Sequence, residues 1–435
     1  MGYGPTGLRE GYGDTLMRWE QPMTFTSRRL RRGAVAAGAA AVLLVPVTAA
    51  TAAPSAGAVP AAVTQAEPAP GDDFREITPQ VRQRLDTAIQ RVMREANVPG
   101  VTVGLWTPDK GQYERSFGVA DKSTGRRMAP DLFWRIGSET KTFTVTAVLQ
   151  LVDQGRISLD DPISEYVDGV PNGDEISLRE LAGMRSGLFN YSEDPDFFKA
   201  LTSDPDRVFT PQQLLDYAFK HPPMFKPGEK FFYCNTNLIL LGLVVEKAGG
   251  QPLHDFIQEN VLEPAGMTDT VFPTNADFPA PHAQGYTNQT ASGKIEESTD
   301  WNPSWAWAAG AMISNRDDLR IWARTVATGT FPDGSTMVEP ATQRERLRTP
   351  STGIRGAGYG LGIFDVQGWI GHNGSLPGYE SLTIYLPSAE ATLVVLLNTD
   401  VLVGKTEPST LFGDAITRIV SPDHVYNLPV PPMPK

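Results

Sequence analysis

Stretches that read as β-strand fall at the two ends of the globular part of this chain, and a long helical stretch separates them. Val101–Trp106 and Tyr113–Val119 are joined by Pro108-Asp109-Lys110-Gly111, whose proline, aspartate and glycine mark a hairpin. Strand signals return at Tyr359–Val366, Ser381–Leu386 and Thr392–Leu397. In between, from Lys141 to about Leu347, apolar residues keep helical spacing. Val145, Leu149, Leu151 and Val152 form one stripe, Leu238 to Ala248 a second and Leu319 to Val326 a third. Thr78-Pro79 opens a helix carrying Val81, Leu85, Ile89, Val92 and Ala96, and Leu411 to Val420 reads as a closing one. The simplest fold joins the strands from both ends into one antiparallel sheet with both terminal helices packed on it. The expected class is therefore α+β with an inserted, mainly helical lobe, and the cleft between lobes is the place for a site.

Hydrophobic residues make up 40% of the 435 residues and charged ones 20%, as in a globular protein. The net charge of −12, with no basic run in the mature part, argues against a nucleic-acid partner. Cys234 is the single cysteine, so an internal disulfide and a cysteine-built metal site are both out of reach. His221, His254, His282, His372 and His424 lack ligand spacing, and neither a metal nor a cofactor is expected.

Residues 1–53 form the signal region, with Met23 a candidate for the true start. Ser27-Arg28-Arg29-Leu30-Arg31-Arg32, the apolar run Gly33 to Val47 and the small residues to Ala53 have the order of a signal peptide. A twin-arginine route and the general secretory route both fit. The expected product is secreted or extracytoplasmic, without a stable membrane anchor after cleavage. Residues 54–73 read as a disordered linker and 427–435 as a loose tail. The folded domain is expected over 74–426, with 74–140 and 348–426 as the sheet lobe and 141–347 as the helical lobe.

Ser138-Glu139-Thr140-Lys141 stands at a helix start, where residues three apart share a face. Serine needs a neighbouring base to act as a nucleophile, and a lysine serves when burial lowers its pKa. Gly137 permits close approach of a substrate to the backbone. Tyr233-Cys234-Asn235 follows the Pro227-Gly228 turn. Its tyrosine hydroxyl can shuttle a proton, and its asparagine amide can orient a carbonyl. His372-Asn373-Gly374-Ser375 follows a glycine-rich, strand-like stretch.

In this order and at this separation, Ser-x-x-Lys, Tyr-x-Asn and His-x-Gly resemble the active-site motifs of serine D-alanyl-D-alanine carboxypeptidases, class C β-lactamases and related esterases. The likeness spans about residues 75 to 420. It implies a β-lactamase/transpeptidase-like fold and an exported serine hydrolase working through an acyl-enzyme on Ser138, first of all a D-alanyl-D-alanine carboxypeptidase-like enzyme or D-amino-acid peptidase, with an esterase or β-lactamase as alternatives and a non-catalytic penicillin-binding sensor as the reading from another class. Lys141 and Tyr233 share the proton transfers, which of them is the base being left open. Asn235 and His372 hold and polarise the site. Ser138 and Ser375 supply oxyanion amides beside Asn373 and Gly374. The substrates implied are small peptides, amides or esters, with β-lactams as further candidates.

The pattern departs from the carboxypeptidases in two places. The strand before the third motif, Leu361 to Val366, lacks the cation that would bind a substrate carboxylate, and Asn373 replaces the usual threonine. These changes favour an ester, an amide or an amino-terminal D-residue, with Arg185 and Arg355 as alternative cations. Trp301, Trp305 and Trp307 either wall the cleft or pack in the core.

Overall fold

The computed structural model describes residues 74–429; the expected signal, the linker and the end of the tail lie outside them. Helix α1 (Pro79–Glu95) starts as its sequence predicts, with the Thr78 hydroxyl accepting from the Val81 amide and proline at the first position. Its buried stripe is Val81, Leu85, Ile89 and Val92. Strands β1 (Gly100–Trp106) and β2 (Gln112–Gly118) form the expected hairpin.

Helices α2 (Thr140–Asp153), α3 (Asn235–Gly249) and α4 (Arg316–Thr328) carry the three stripes read from the sequence. Five strands then follow: β3 (Ala357–Tyr359), β4 (Phe364–Val366), β5 (Trp369–Leu376), β6 (Tyr379–Leu386) and β7 (Ala391–Leu397). Helix α5 (Pro408–Val420) closes the fold.

All seven strands join one antiparallel sheet in the order β2-β1-β7-β6-β5-β4-β3. The two ends of the chain meet at β1 and β7, with Val101 opposite Leu397 and Trp106 opposite Thr392. Every residue of β1, β6 and β7 is buried, so both faces of the sheet are covered there. Alternate residues of β6 show what covers each face. Tyr385 packs with Ala323 and Ala327 of α4, whereas Leu382 lies under Gly413 of α5.

Two details differ from the sequence reading. Tyr359–Val366, expected as one strand, is two short ones, because a turn at Gly360–Ile363 reverses the chain. The Gly360 amide bonds the Ile363 carbonyl, and Gly362 takes a φ of 68°. The third motif, expected to follow a glycine-rich, strand-like stretch, lies within a strand of its own, β5, which together with the split raises the sheet from the five strands expected to seven.

Candidate active site

Gly137–Glu139 forms a single 3₁₀ turn that runs directly into α2. Gly137 has a φ of 54°, and a Cβ there would come within 2.6 Å of the Ser375 nitrogen. The turn therefore requires glycine for its backbone angle and for its closeness to β5. One helical turn brings Lys141 back over Ser138, with Nζ 2.9 Å from Oγ. The same Nζ donates to the Ala309 carbonyl at 2.7 Å.

Lys141 is fully enclosed, and burial drives its pKa well below the ordinary lysine value. A neutral amine at hydrogen-bond distance can accept the serine proton. Helix α2 is buried on every side from Thr140 to Leu151. Its threonines are satisfied there: Thr142 donates to the Glu139 carbonyl at 2.6 Å, and Thr144 to the Ala308 carbonyl at 2.8 Å.

Tyr233 precedes α3, its ring 4.9 Å from Lys141 Nζ. Its hydroxyl is enclosed and makes no hydrogen bond among the described residues. Burial first, then the Tyr359 hydroxyl, push its pKa far up, while nearby Ser138 pulls it down. Asn235 is held from outside the Ser–Lys pair: its amide donates to Ser192 at 3.0 Å, and its backbone nitrogen donates to Asn190 at 3.1 Å. Cys234 is buried between them, its thiol pushed up to about 12 by burial, and so it stays protonated.

Strand β5 brings the third motif alongside. Its pairing with β4 stops at Gly371, so from His372 onward one edge lacks a strand partner and lies against the Ser138 turn. His372 is 2% exposed, and burial, then Lys141, hold its pKa down at about 3. The ring is therefore neutral. Nδ1 sits 2.5 Å from the Asn373 carbonyl, which can only accept, so Nδ1 carries the proton. Nε2 then accepts from the Tyr359 hydroxyl at 3.3 Å.

Ser138, Lys141, Tyr233 and His372 thus gather in one place, and Gly374 and the Ser375 backbone lie at the nucleophile turn. The Asn373 side chain does not join them. It donates to Glu407 at 2.6 Å on the opposite face of the sheet, because neighbours along a strand point to opposite sides.

The sequence reading missed three groups. Tyr359, buried beside His372, is read from the sequence only as the first residue of the Tyr359–Val366 strand. Glu193 lies in the turn that holds Asn235; its Oε1 accepts from Asn190 at 3.2 Å, its Oε2 is enclosed without a partner, and burial raises its pKa. Glu139, directly after the nucleophile, is 1% exposed with neither oxygen hydrogen-bonded. Burial pushes it up to about 8, against the pull of Ser381 and Thr383. None of the three has a local spacing that separates it from ordinary surface or core residues.

Of the two alternative cations, one is bonded and the other lies at the sheet edge. Arg185 donates to the Ser351 carbonyl at 3.1 Å, and Arg355 lines a groove at the outer sheet edge with Gly356, Gln367 and His424. Arg346 lies near Tyr359 and is closed off from solvent, donating to the Thr142 carbonyl at 2.9 Å. Trp305 and Trp307 pack inside the helical lobe, against Phe197 and Gly242. Among the described residues no helix is long and apolar enough to cross a membrane, and no cluster of three histidine, cysteine or acidic residues is placed to hold a metal ion.

Comparison with known proteins agrees with this geometry. The family model described as Beta-lactamase matches residues 85–410. A D-stereospecific amidohydrolase from Streptomyces sp. superposes with a TM-score of 0.66 at 29% identity, over 73% of this chain and 94% of that one. The D-amino acid amidase from Ochrobactrum anthropi SV3, complexed with L-phenylalanine amide, gives a TM-score of 0.66 at 26% identity, over 77% and 97%. Protein flp of Staphylococcus aureus strain MRSA252 is 26% identical over 74% of this chain, which spans only 64% of that protein. With its family model matched across the sheet, the nucleophile turn and the third-motif strand, the chain belongs to the beta-lactamase family.

Proposed function

We propose that the chain is an exported acyl-serine amidohydrolase acting on amides or short peptides of D-amino acids whose α-amine is free. The observation that carries this reading is Glu193. Its Oε1 accepts from Asn190, the residue that also accepts from the Asn235 backbone amide, and its enclosed Oε2 lacks a partner that a substrate ammonium would supply. A carboxypeptidase would need a cation facing its substrate's carboxylate, whereas Arg185 is bonded to the Ser351 carbonyl and Arg355 lines the groove at the outer sheet edge. The likeness to the D-stereospecific amidohydrolase and the D-amino acid amidase supports the same substrate class. The basic, apolar and small residues of 27–53, in that order, support export, and sequencing the exported protein for a start near Pro54 checks it.

In this mechanism Ser138 Oγ adds to the amide carbonyl carbon as its proton passes to neutral Lys141. The Ser138 and Ser375 amides receive the oxyanion. Collapse breaks the carbon–nitrogen bond, and the amine leaves with the proton relayed from Lys141 through Tyr233. Water then adds to the acyl ester, its proton returns by the same route to Ser138, and the carboxylic acid departs.

The test is ammonia release from D-phenylalanine amide, its L enantiomer and its N-acetyl form, with Ser138→Ala as control. Preference for the free D-amide by about tenfold or more, lost in the control, supports the reading. Turnover of p-nitrophenyl esters alone would make the protein an esterase with the same machinery.

A further inference from the structure

Two glutamates lie behind the third-motif strand, on the face turned to α5. Glu380 is 1% exposed, and Glu407 is half-buried with its carboxyl turned inward. Burial raises both, each by more than their hydrogen bonds lower them, and the Glu407 charge raises Glu380 further. Among the described residues no cation pairs with either.

Their bonding is exchanged relative to what position alone suggests. Glu407 is the N-cap residue of α5, yet its side chain makes no capping bond. The helix start is served instead by Glu380 of β6, whose Oε2 accepts from the Ser409 amide at 2.7 Å. Glu407 is thereby free to reach across to β5, where it accepts from Asn373 at 2.6 Å.

That bond falls at a sensitive place. From His372 onward β5 pairs with β6 alone, and its other edge lies against the nucleophile turn. The fit there is tight: a Cβ on Gly374 would fall 1.9 Å from the Ile136 carbonyl oxygen. The Asn373 peptide is meanwhile gripped from both faces of the sheet, its carbonyl by His372 and its side chain by Glu407.

We propose that Glu407, acting through Asn373, is a positioning residue that sets the spacing between the unpaired edge of β5 and the Ser138 turn. This goes beyond the hydrolase reading but rests on Ser138 being the acylated nucleophile.

The experiment is the rate at which a fluorophosphonate probe labels Ser138, with Ser138→Ala as control and thermal melting as the check on folding. Glu407→Ala and Asn373→Ala should each slow labelling by about tenfold or more, as expected of a small misplacement at a reacting centre. The double variant should be no slower than the slower single one, since both cut one link. Glu407→Gln should stay within about twofold of the parent, because its side-chain carbonyl still accepts from Asn373. A merely structural role would lower the melting temperature without this rescue.

Parent-like labelling of folded Glu407→Ala overturns the inference and leaves the hydrolase reading standing. If that variant does not fold, Asn373→Ala decides, since parent-like labelling there is equally fatal. An unlabelled parent protein removes the nucleophile reading and the inference with it.

Discussion

Lys141 Nζ lies 2.9 Å from Ser138 Oγ and 2.7 Å from the Ala309 carbonyl oxygen, inside a wall that excludes water. No carboxylate among the described residues steadies its charge, so the amine is held neutral by burial. A base works in its deprotonated form, and a depressed pKa moves the rise in activity to lower pH than an ordinary lysine would give. Acylation is therefore expected at full rate by about neutral pH rather than above about pH 10. Lys141→Arg, which cannot lose its proton, should cost about a thousandfold in kcat/KM. A pH–rate profile of ester and amide hydrolysis checks both.

Tyr233 carries an enclosed hydroxyl without a hydrogen bond. Removing an unsatisfied buried polar group relieves its desolvation, so Tyr233→Phe should raise stability by about 1 kcal/mol. The same change should lower acylation by about a hundredfold or more through the lost proton relay. Melting curves run beside single-turnover acylation would separate the two effects.

Glu139 links stability to pH. Its carboxyl rises from 4.5 to about 8 on folding, because burial disfavours the charge. A carboxyl raised in this way contributes its stability fully below the unfolded value and loses it as the pH climbs through the folded one. Between about pH 4.5 and 8, Glu139→Gln should therefore gain on the parent, by about 1 kcal/mol or more across the window. Urea unfolding at several pH values would show a pH-independent gap if the carboxyl were not buried as described.

His372 is neutral, with both ring nitrogens engaged by Asn373 and Tyr359. Its imidazole resonances should not titrate between about pH 5 and 8, a range in which an ordinary histidine changes charge. Tyr359→Phe should leave it neutral but free the ring to turn, which would broaden those signals. NMR of selectively labelled histidine reads both.

Glu193 should govern recognition of the substrate amine. Glu193→Gln is expected to cut the preference for free-amine over N-acetylated amides by about tenfold, through the lost charge-assisted bond. Competition assays with paired substrates measure this ratio directly. An unchanged ratio would remove the reason for preferring amino-terminal D-residues.

How far the chain could be read follows from the range of each interaction. Ser138 and Lys141 were legible because their relation is one helical turn, and the terminal strands because β1 and β7 are dense in branched and large apolar residues. Strand β5 was harder: Gly371, His372, Asn373, Gly374 and Ser375 dilute the apolar alternation that marks a strand. Without that strand there was no means to see that His372 and Asn373 face opposite sides. Glu407 meets Asn373 across a gap in the chain that carries no periodic signal, and the contact of Glu193 with Asn190 is local but looks like any polar pair in a turn. The turn hidden inside Tyr359–Val366 did have a sign, the paired glycines Gly360 and Gly362.

The meeting of β1 with β7 has a consequence for when this protein can work. Leu393 to Leu397, which cover Val101 to Leu105 in the sheet, are among the last described residues to leave the ribosome. A nascent chain that already contains Ser138, Lys141 and Tyr233 therefore still lacks the strands that complete the platform beneath them. The platform behind Ser138 is therefore complete only once the C-terminal strand has paired with β1.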